Sequence, residues 1–111
     1  MINVVIYLKR DQEPVRLVEK LLSMKFIANA TIDENNESYT FDDNKMVKEI
    51  YSVITAKTLS TLFSKIEAYI ESELGPNILI NSVPIIASNK QFNKLIQSKI
   101  IQNKANENFT H

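Results

Sequence analysis

The sequence predicts an α+β sandwich built in the order βαββαβ, with an extra helix at its C-terminal end. Three observations lead there. Apolar, β-branched runs of strand length open the chain and recur along it, and two stretches with apolar residues three and four apart alternate with them. The sole glycine, followed by a proline, then stops the second of those stretches.

Ile2 to Leu8 is apolar almost throughout and is closed by Lys9-Arg10-Asp11, which predicts a strand buried on both faces in the middle of a sheet. Asp11 is placed to cap the first helix, with Pro14 tolerated in its first turn, where an amide has no partner to lose. Leu17, Val18, Leu21, Leu22 and Met24 give that helix one apolar stripe. Phe26 to Ile32 reads as a second strand. Tyr39-Thr40-Phe41 resumes it after a polar interruption at Asp33-Glu34-Asn35-Asn36-Glu37.

Asp42-Asp43-Asn44-Lys45 is a turn, since short polar side chains bond their own backbone and Asn44 tolerates a left-handed conformation. Met46 to Ala56 returns as a long third strand, making residues 26–56 one long hairpin. Thr58 or Ser60 opens the second helix, whose apolar positions are Leu59, Leu62, Phe63, Ile66, Tyr69, Ile70 and Leu74. Gly75 and Pro76 end it. Ile78 to Ala87 is a fourth strand, and Pro84 places it at a sheet edge or a bulge. Asn89 caps a short third helix carrying Phe92, Leu95, Ile96 and Ile100 inward. Right-handed crossovers set the first and third strands side by side, with two helices on one face: a ferredoxin-like sandwich with a long hairpin between its second and third strands. Residues 1–101 form this domain, and 102–111 form a polar C-terminal tail. The fold hosts many unrelated activities, so it decides nothing about function.

Composition narrows the classes. Hydrophobic residues at 44% and charged residues at 23% suit one folded domain. Thirteen basic residues balance thirteen acidic ones, which argues against a nucleic-acid binder with a net basic face. The third strand, Lys48 to Ile54, offers one aromatic beside an acid, a poor platform for stacking RNA bases. The absence of cysteine removes disulfides, thiolate metal sites and thiol nucleophiles. No apolar run reaches membrane-spanning length, and the N-terminus lacks the basic lead-in and cleavage site of a signal peptide, so the expected location is the cytoplasm.

The sole histidine, His111, is the last residue, which leaves no Ser-His-acid arrangement and no histidine-rich metal site. The acids Asp33, Glu34, Glu37, Asp42 and Asp43 could hold a hard divalent cation weakly, although such runs usually mark a solvated hairpin tip. The first β–α loop, Lys9 to Pro14, has no glycine, carries two acids and loses an amide to proline, so it makes a poor phosphate cradle. Arg10 and Arg16 are read as solvent-facing. No cofactor and no catalytic residue is expected, and the chain reads as non-enzymatic.

Several segments, taken in order, resemble the CutA family, the divalent-cation tolerance proteins, over most of residues 2 to 101. Lys25-Phe26-Ile27-Ala28-Asn29-Ala30-Thr31-Ile32 is similar to the family's Arg-Leu-Ala-Ala-Cys-Val-Asn-Ile strand, and Tyr39-Thr40-Phe41 sits where it has Tyr-x-Trp. Ala56-Lys57-Thr58 resembles its Ile-Lys-Thr, and Glu73-Leu74-Gly75-Pro76 its Glu-Leu-His-Pro. Asn89 with Phe92, Leu95 and Ile96 matches its Asn-x-x-Tyr-x-x-Trp-Leu ending. The departures fall on groups able to bind metal. Asn29 stands in place of the cysteine, and Gly75 and Asn77 replace a histidine and a tyrosine. Ile80 and Asn81 replace a proline and a glutamate, and Phe41 replaces the tryptophan. The resemblance implies a trimer and carries over no intact metal site.

Assembly has a signal of its own. Two short helices cannot cover a sheet face carrying Ile50, Tyr51, Val53 and Ile54, and the long hairpin should overhang them. The first reading is a cytoplasmic CutA-like homotrimer whose hairpins pair with neighbouring subunits, linked to metal-ion tolerance or PII-like signalling. It places Tyr39, Phe41, Met46, Ile50 and Tyr51 at or near subunit contacts. The second is a small-molecule sensor of PII or ACT type, binding in a cleft between subunits with Asn29, Thr31, Asn77 and Asn81 as its polar groups. Whether the ligand is a metal ion or a small molecule stays open.

Overall fold

The structure is a computed structural model that describes residues 1–100. Its elements are β1 (Ile2–Leu8), α1 (Pro14–Ser23), β2 (Asn29–Asp42), β3 (Lys45–Thr58), α2 (Phe63–Leu74), β4 (Leu79–Pro84) and α3 (Lys90–Lys99), with a 3-10 turn at Ser60–Leu62 leading into α2. The four strands form one antiparallel sheet in the order β2-β3-β1-β4. This is the α+β, ferredoxin-like arrangement that the order of apolar runs predicts. The tail from residue 102, including His111, lies outside the described residues.

β1 is central, and its side chains alternate. Ile2, Val4, Ile6 and Leu8 are buried, whereas Asn3, Val5 and Tyr7 are half-buried. Burial on both faces is therefore not reached among the described residues, whose helices cover one side of the sheet. The covered side gathers Ile6, Leu8, Leu21, Ile27, Ile54, Ile66 and Ile70 into one core, and Ile96 and Ile100 join it from the C-terminal segment. In α1, Leu17 and Leu21 face inward while Leu22, which the predicted stripe also included, is exposed.

Local chemistry sets the element ends. Glu13, not Asp11, is the N-cap of α1, and no side chain caps it. Proline at the next position keeps Glu13 extended, so the helix starts at Pro14 and Asp11 comes two residues too early. Thr58 does not open the second helix. It is fully buried at the end of β3, and its hydroxyl donates to the Phe26 carbonyl. Gly75 ends α2 at φ 90° and ψ 176°, a conformation open to glycine and strained for other residues. Asn89 caps α3, its Oδ1 accepting the Phe92 amide at 2.9 Å. β4 is shorter than Ile78 to Ala87, because Pro84 already pairs with Ile2 at the start of β1 and no partner strand continues beyond. It is an edge strand, as Pro84 predicts.

β2 and β3 make one hairpin of fourteen residues a side. The polar stretch 33–37 does not interrupt β2. Asp33 pairs with Val53 and Asn36 with Tyr51, so Glu34 and Asn35 together stand against Ser52 in a β-bulge. Asn35 adopts φ 61° there, and Asn36 Nδ2 donates to Asp33 Oδ2 at 3.0 Å. At the tip Asp43 and Asn44 both have positive φ, 49° and 62°, as the two-residue turn that suits hairpin twist requires.

Candidate functional site

The pairing of β1 ends at Leu8 opposite Ser52. Beyond that point β2 and β3 continue as a two-stranded ribbon, Asn36–Asp42 against Lys45–Tyr51, with no third strand among the described residues. A two-stranded ribbon alone is marginal in water. The molecule is 55 Å long against 29 and 21 Å across, and its radius of gyration is 15.6 Å. A compact domain of this size has about 13 Å.

This arm carries the apolar side chains expected at subunit contacts. Phe41 and Met46 are a directly opposed cross-strand pair, 80% and 67% exposed, and Tyr39 lies two residues along on the same face, 52% exposed. Ile50 continues that face toward the body and is half-buried. Tyr51 does not join them: alternation turns it to the other face, where its ring meets Tyr7 edge-on at 5.7 Å and 81°. Ile54 is likewise not on an open surface. It packs opposite Ile6 and Ile32 under the helices and is fully buried. Adjacent strand residues point to opposite sides, so Val53 and Ile54 could not share a face.

The charged groups on the arm tie it locally. Tyr39 donates its hydroxyl to Glu37 Oε1 at 2.9 Å, and Lys48 Nζ lies 3.8 Å from the same oxygen. The hydrogen bond to Glu37, with desolvation and the carboxylate's negative charge adding to it, holds the Tyr39 phenol above its ordinary range. The acids do not converge. Asp33, Glu34 and Glu37 flank the bulge while Asp42 and Asp43 are at the tip, and among the described residues no three acidic or histidine side chains are grouped to hold a metal.

The helix-free face is the second part of the candidate site. Register puts Val5 and Tyr7 of β1, Tyr51 and Val53 of β3, and Leu79 and Val83 of β4 on it. Leu79 is 57% and Val83 49% exposed. Val5, Tyr7, Leu79 and Val83 escape a reading by sequence runs. The signal available was alternation: once Ile2, Val4, Ile6 and Leu8 are core, the residues between them must face the other way.

Asn29, Thr31 and Asn81 lie on this same face. Thr31 and Asn81 share one cross-strand row through Thr55 and Val5, three strands apart, or about 14 Å. Asn29 is one row on, beside Lys57 and Asn3. Asn77 stands apart in the turn before β4, at the opposite end of the sheet from Asn29. One chain does not bring the four together. In the β1–α1 loop the Lys9 amide donates to Gln12 Oε1 at 2.9 Å, and Arg10 and Arg16 are exposed, the latter 4.0 Å from Glu13.

No family model and no curated protein sequence matches this chain. Solved structures do. CutA1 from Pyrococcus horikoshii superposes with a TM-score of 0.78 at 20% identity, over 92% of this chain and 100% of that one. CutA1 from Oryza sativa gives 0.80 at 17% identity, over 92% and 94%. A protein from Archaeoglobus fulgidus described as a periplasmic divalent cation tolerance protein, CutA, gives 0.77 at 22% identity, over 89% and 98%. The chain therefore has the CutA1 fold across nearly its whole described length.

Proposed function

We propose that this chain is a divergent CutA-like protein that works as a homotrimer, binding rather than turning over a ligand, in a role linked to tolerance of divalent metal ions. The observation that carries this reading is the uncovered apolar surface. One arm face bears Tyr39, Phe41, Met46 and Ile50, and the helix-free face bears Val5, Leu79 and Val83, with no element among the described residues to shield either. Contiguous exposed apolar surface of this kind is characteristic of an interface, and the unpaired edges of the arm give a neighbour backbone groups to bond. The trimeric count and the link to metal ions come from likeness to CutA1 alone.

Metal ligation in the family's manner is not part of the proposal. Asn29, Gly75, Asn77 and Asn81 supply no thiolate, imidazole, phenol or carboxylate, so a soft or borderline cation has no suitable donors at those positions. Among the described residues no helix is long and apolar enough to cross a membrane.

Sedimentation equilibrium tests the assembly. The expected mass is three times the 12.7 kDa of the chain, the same with or without copper(II). Removing the arm tip, residues 39–46, should leave single chains. A wild-type mass of one chain at micromolar concentration would end the proposal, and a trimer that forms only with copper(II) would reverse its account of the metal.

A further inference from the structure

We propose that the end of the sheet opposite the arm docks on an anionic lipid surface, through Lys25, Lys65, Lys90, Lys94 and Ile86. A formal charge of zero conceals how the fold distributes its charges. Ile2, at the start of β1, stands opposite both Thr58, where β3 ends, and Pro84, where β4 ends. β2 begins at the same end, with Asn29 against Lys57. Each link between strand and helix at this end brings a lysine with it. Lys25 lies in the link from α1 to β2, Lys65 in the first turn of α2, and Lys90 is the first residue of α3. The Ile85 amide donates to the Met1 carbonyl at 3.0 Å, which keeps the approach to α3 against this end. Lys94 follows Lys90 by four residues, on the same side of the helix.

All four lysines are exposed, and none is in an ion pair; among the described residues those pairs are Arg16–Glu13 and Lys48–Glu37. The described acids gather at the other end, mixed with the remaining basic residues. They lie on the arm and its bulge, in the loop before α1 and in the last turn of α2, with Glu19 and Glu67 inside the helices between. From Leu74 to Lys99 the chain has no acid at all. α2 and α3 also begin without an acid in the first turn, so their positive ends add to the field of the lysines. The four lysines belong to loops and helices, not to the arm or the sheet face assigned above to assembly.

Ile86 selects the partner. It follows β4 by two residues, beyond the last sheet pair, and is 96% exposed. Ammonium groups beside a solvated aliphatic side chain match a charged headgroup layer with hydrocarbon beneath it. Nucleic acid is matched less well: the aromatics near this end, Phe26 and Phe92, pack against the core and offer no stacking platform.

Flotation of the full chain with vesicles tests this. The chain should float with vesicles of equal parts phosphatidylserine and phosphatidylcholine, be released by high salt, and ignore phosphatidylcholine alone. Lys65→Gln and Lys90→Gln, on separate helices, should each weaken binding about fivefold, the effect of one lysine near a charged bilayer. Ile86→Ser should weaken it too, whereas Lys45→Gln, at the arm tip, removes the same charge and should leave it unchanged. An unaltered circular dichroism spectrum shows that each variant is folded. No flotation with the phosphatidylserine vesicles, equal flotation with phosphatidylcholine alone, equal losses in Lys45→Gln and Lys90→Gln, or tighter binding of duplex DNA at matched phosphate concentration would each overturn the proposal.

Discussion

The two halves of the β2–β3 hairpin use the same alternation of side chains to opposite ends. In the body, Ile54, Ala56 and Thr58 point toward the helices and are fully buried; in the arm, Phe41 and Met46 are more than two-thirds exposed on a strand pair of equal regularity. The bulge at Glu34–Asn35 marks the change. What differs is not the strands but what lies over them: α1 and α2 stop above the body, and β1 runs out at Leu8. A strand's apolar face is thus a demand for cover, and the described residues meet that demand in one half only.

The largest test of that contrast sets Ile54 against Phe41. Ile54→Ala opens a cavity beneath both helices and should cost about 2–5 kcal/mol in urea unfolding. Phe41→Ser should cost the single chain no more than about 0.5 kcal/mol, as exposed positions do, and show itself instead as lost mass in sedimentation. If Phe41→Ser matched Ile54→Ala at every protein concentration, the arm would be covered by its own chain and the contrast would fail.

Much of the fold was legible because its signals are local. Asn89 before an apolar helix, Gly75-Pro76 after one, and two short polar residues at the hairpin tip each act within a turn of chain. Thr58 was not legible: its hydroxyl bonds the Phe26 carbonyl, 32 residues away, and nothing near it in sequence distinguishes that from capping. Ile54 was assigned to an open face because a run of apolar residues does not state its parity. That parity is fixed by pairing with Ile6 on another strand. Asp33 to Glu37 looked like a break because five polar residues rarely lie in a strand interior, yet a bulge on an exposed edge buries none of their polar groups. The arm residues Tyr39, Phe41 and Met46 could be named, but not which of their neighbours would share a face with them.

The junction itself offers a smaller effect. Asn35 holds φ 61° in the bulge, a region costing other residues about 1–2 kcal/mol. Asn35→Val should destabilise by about that amount, and Asn35→Gly should be neutral or slightly stabilising. Hydrogen exchange should show faster opening across residues 36–51 in Asn35→Val, with β1 protected as before. Equal loosening of β1 would mean that body and arm open together and that the bulge separates nothing.

The smallest effect asks whether the arm orders its own side chains without help from the body. The Tyr39 phenol is raised above its ordinary value of 10.0, first by its hydrogen bond to Glu37 and then by desolvation and that residue's charge. The fold thus favours the neutral phenol. Its contribution to stability is fully present below the ordinary phenol value and is lost as pH rises through the higher folded value. Ultraviolet titration, differenced against Tyr39→Phe, should place Tyr39 above the ordinary range, and Glu37→Ala should bring it down. A phenol indifferent to Glu37→Ala would mean that the 2.9 Å contact does not hold in solution, leaving the arm as backbone pairing with free side chains. Ordering of its apolar face would then fall wholly to the neighbouring chain.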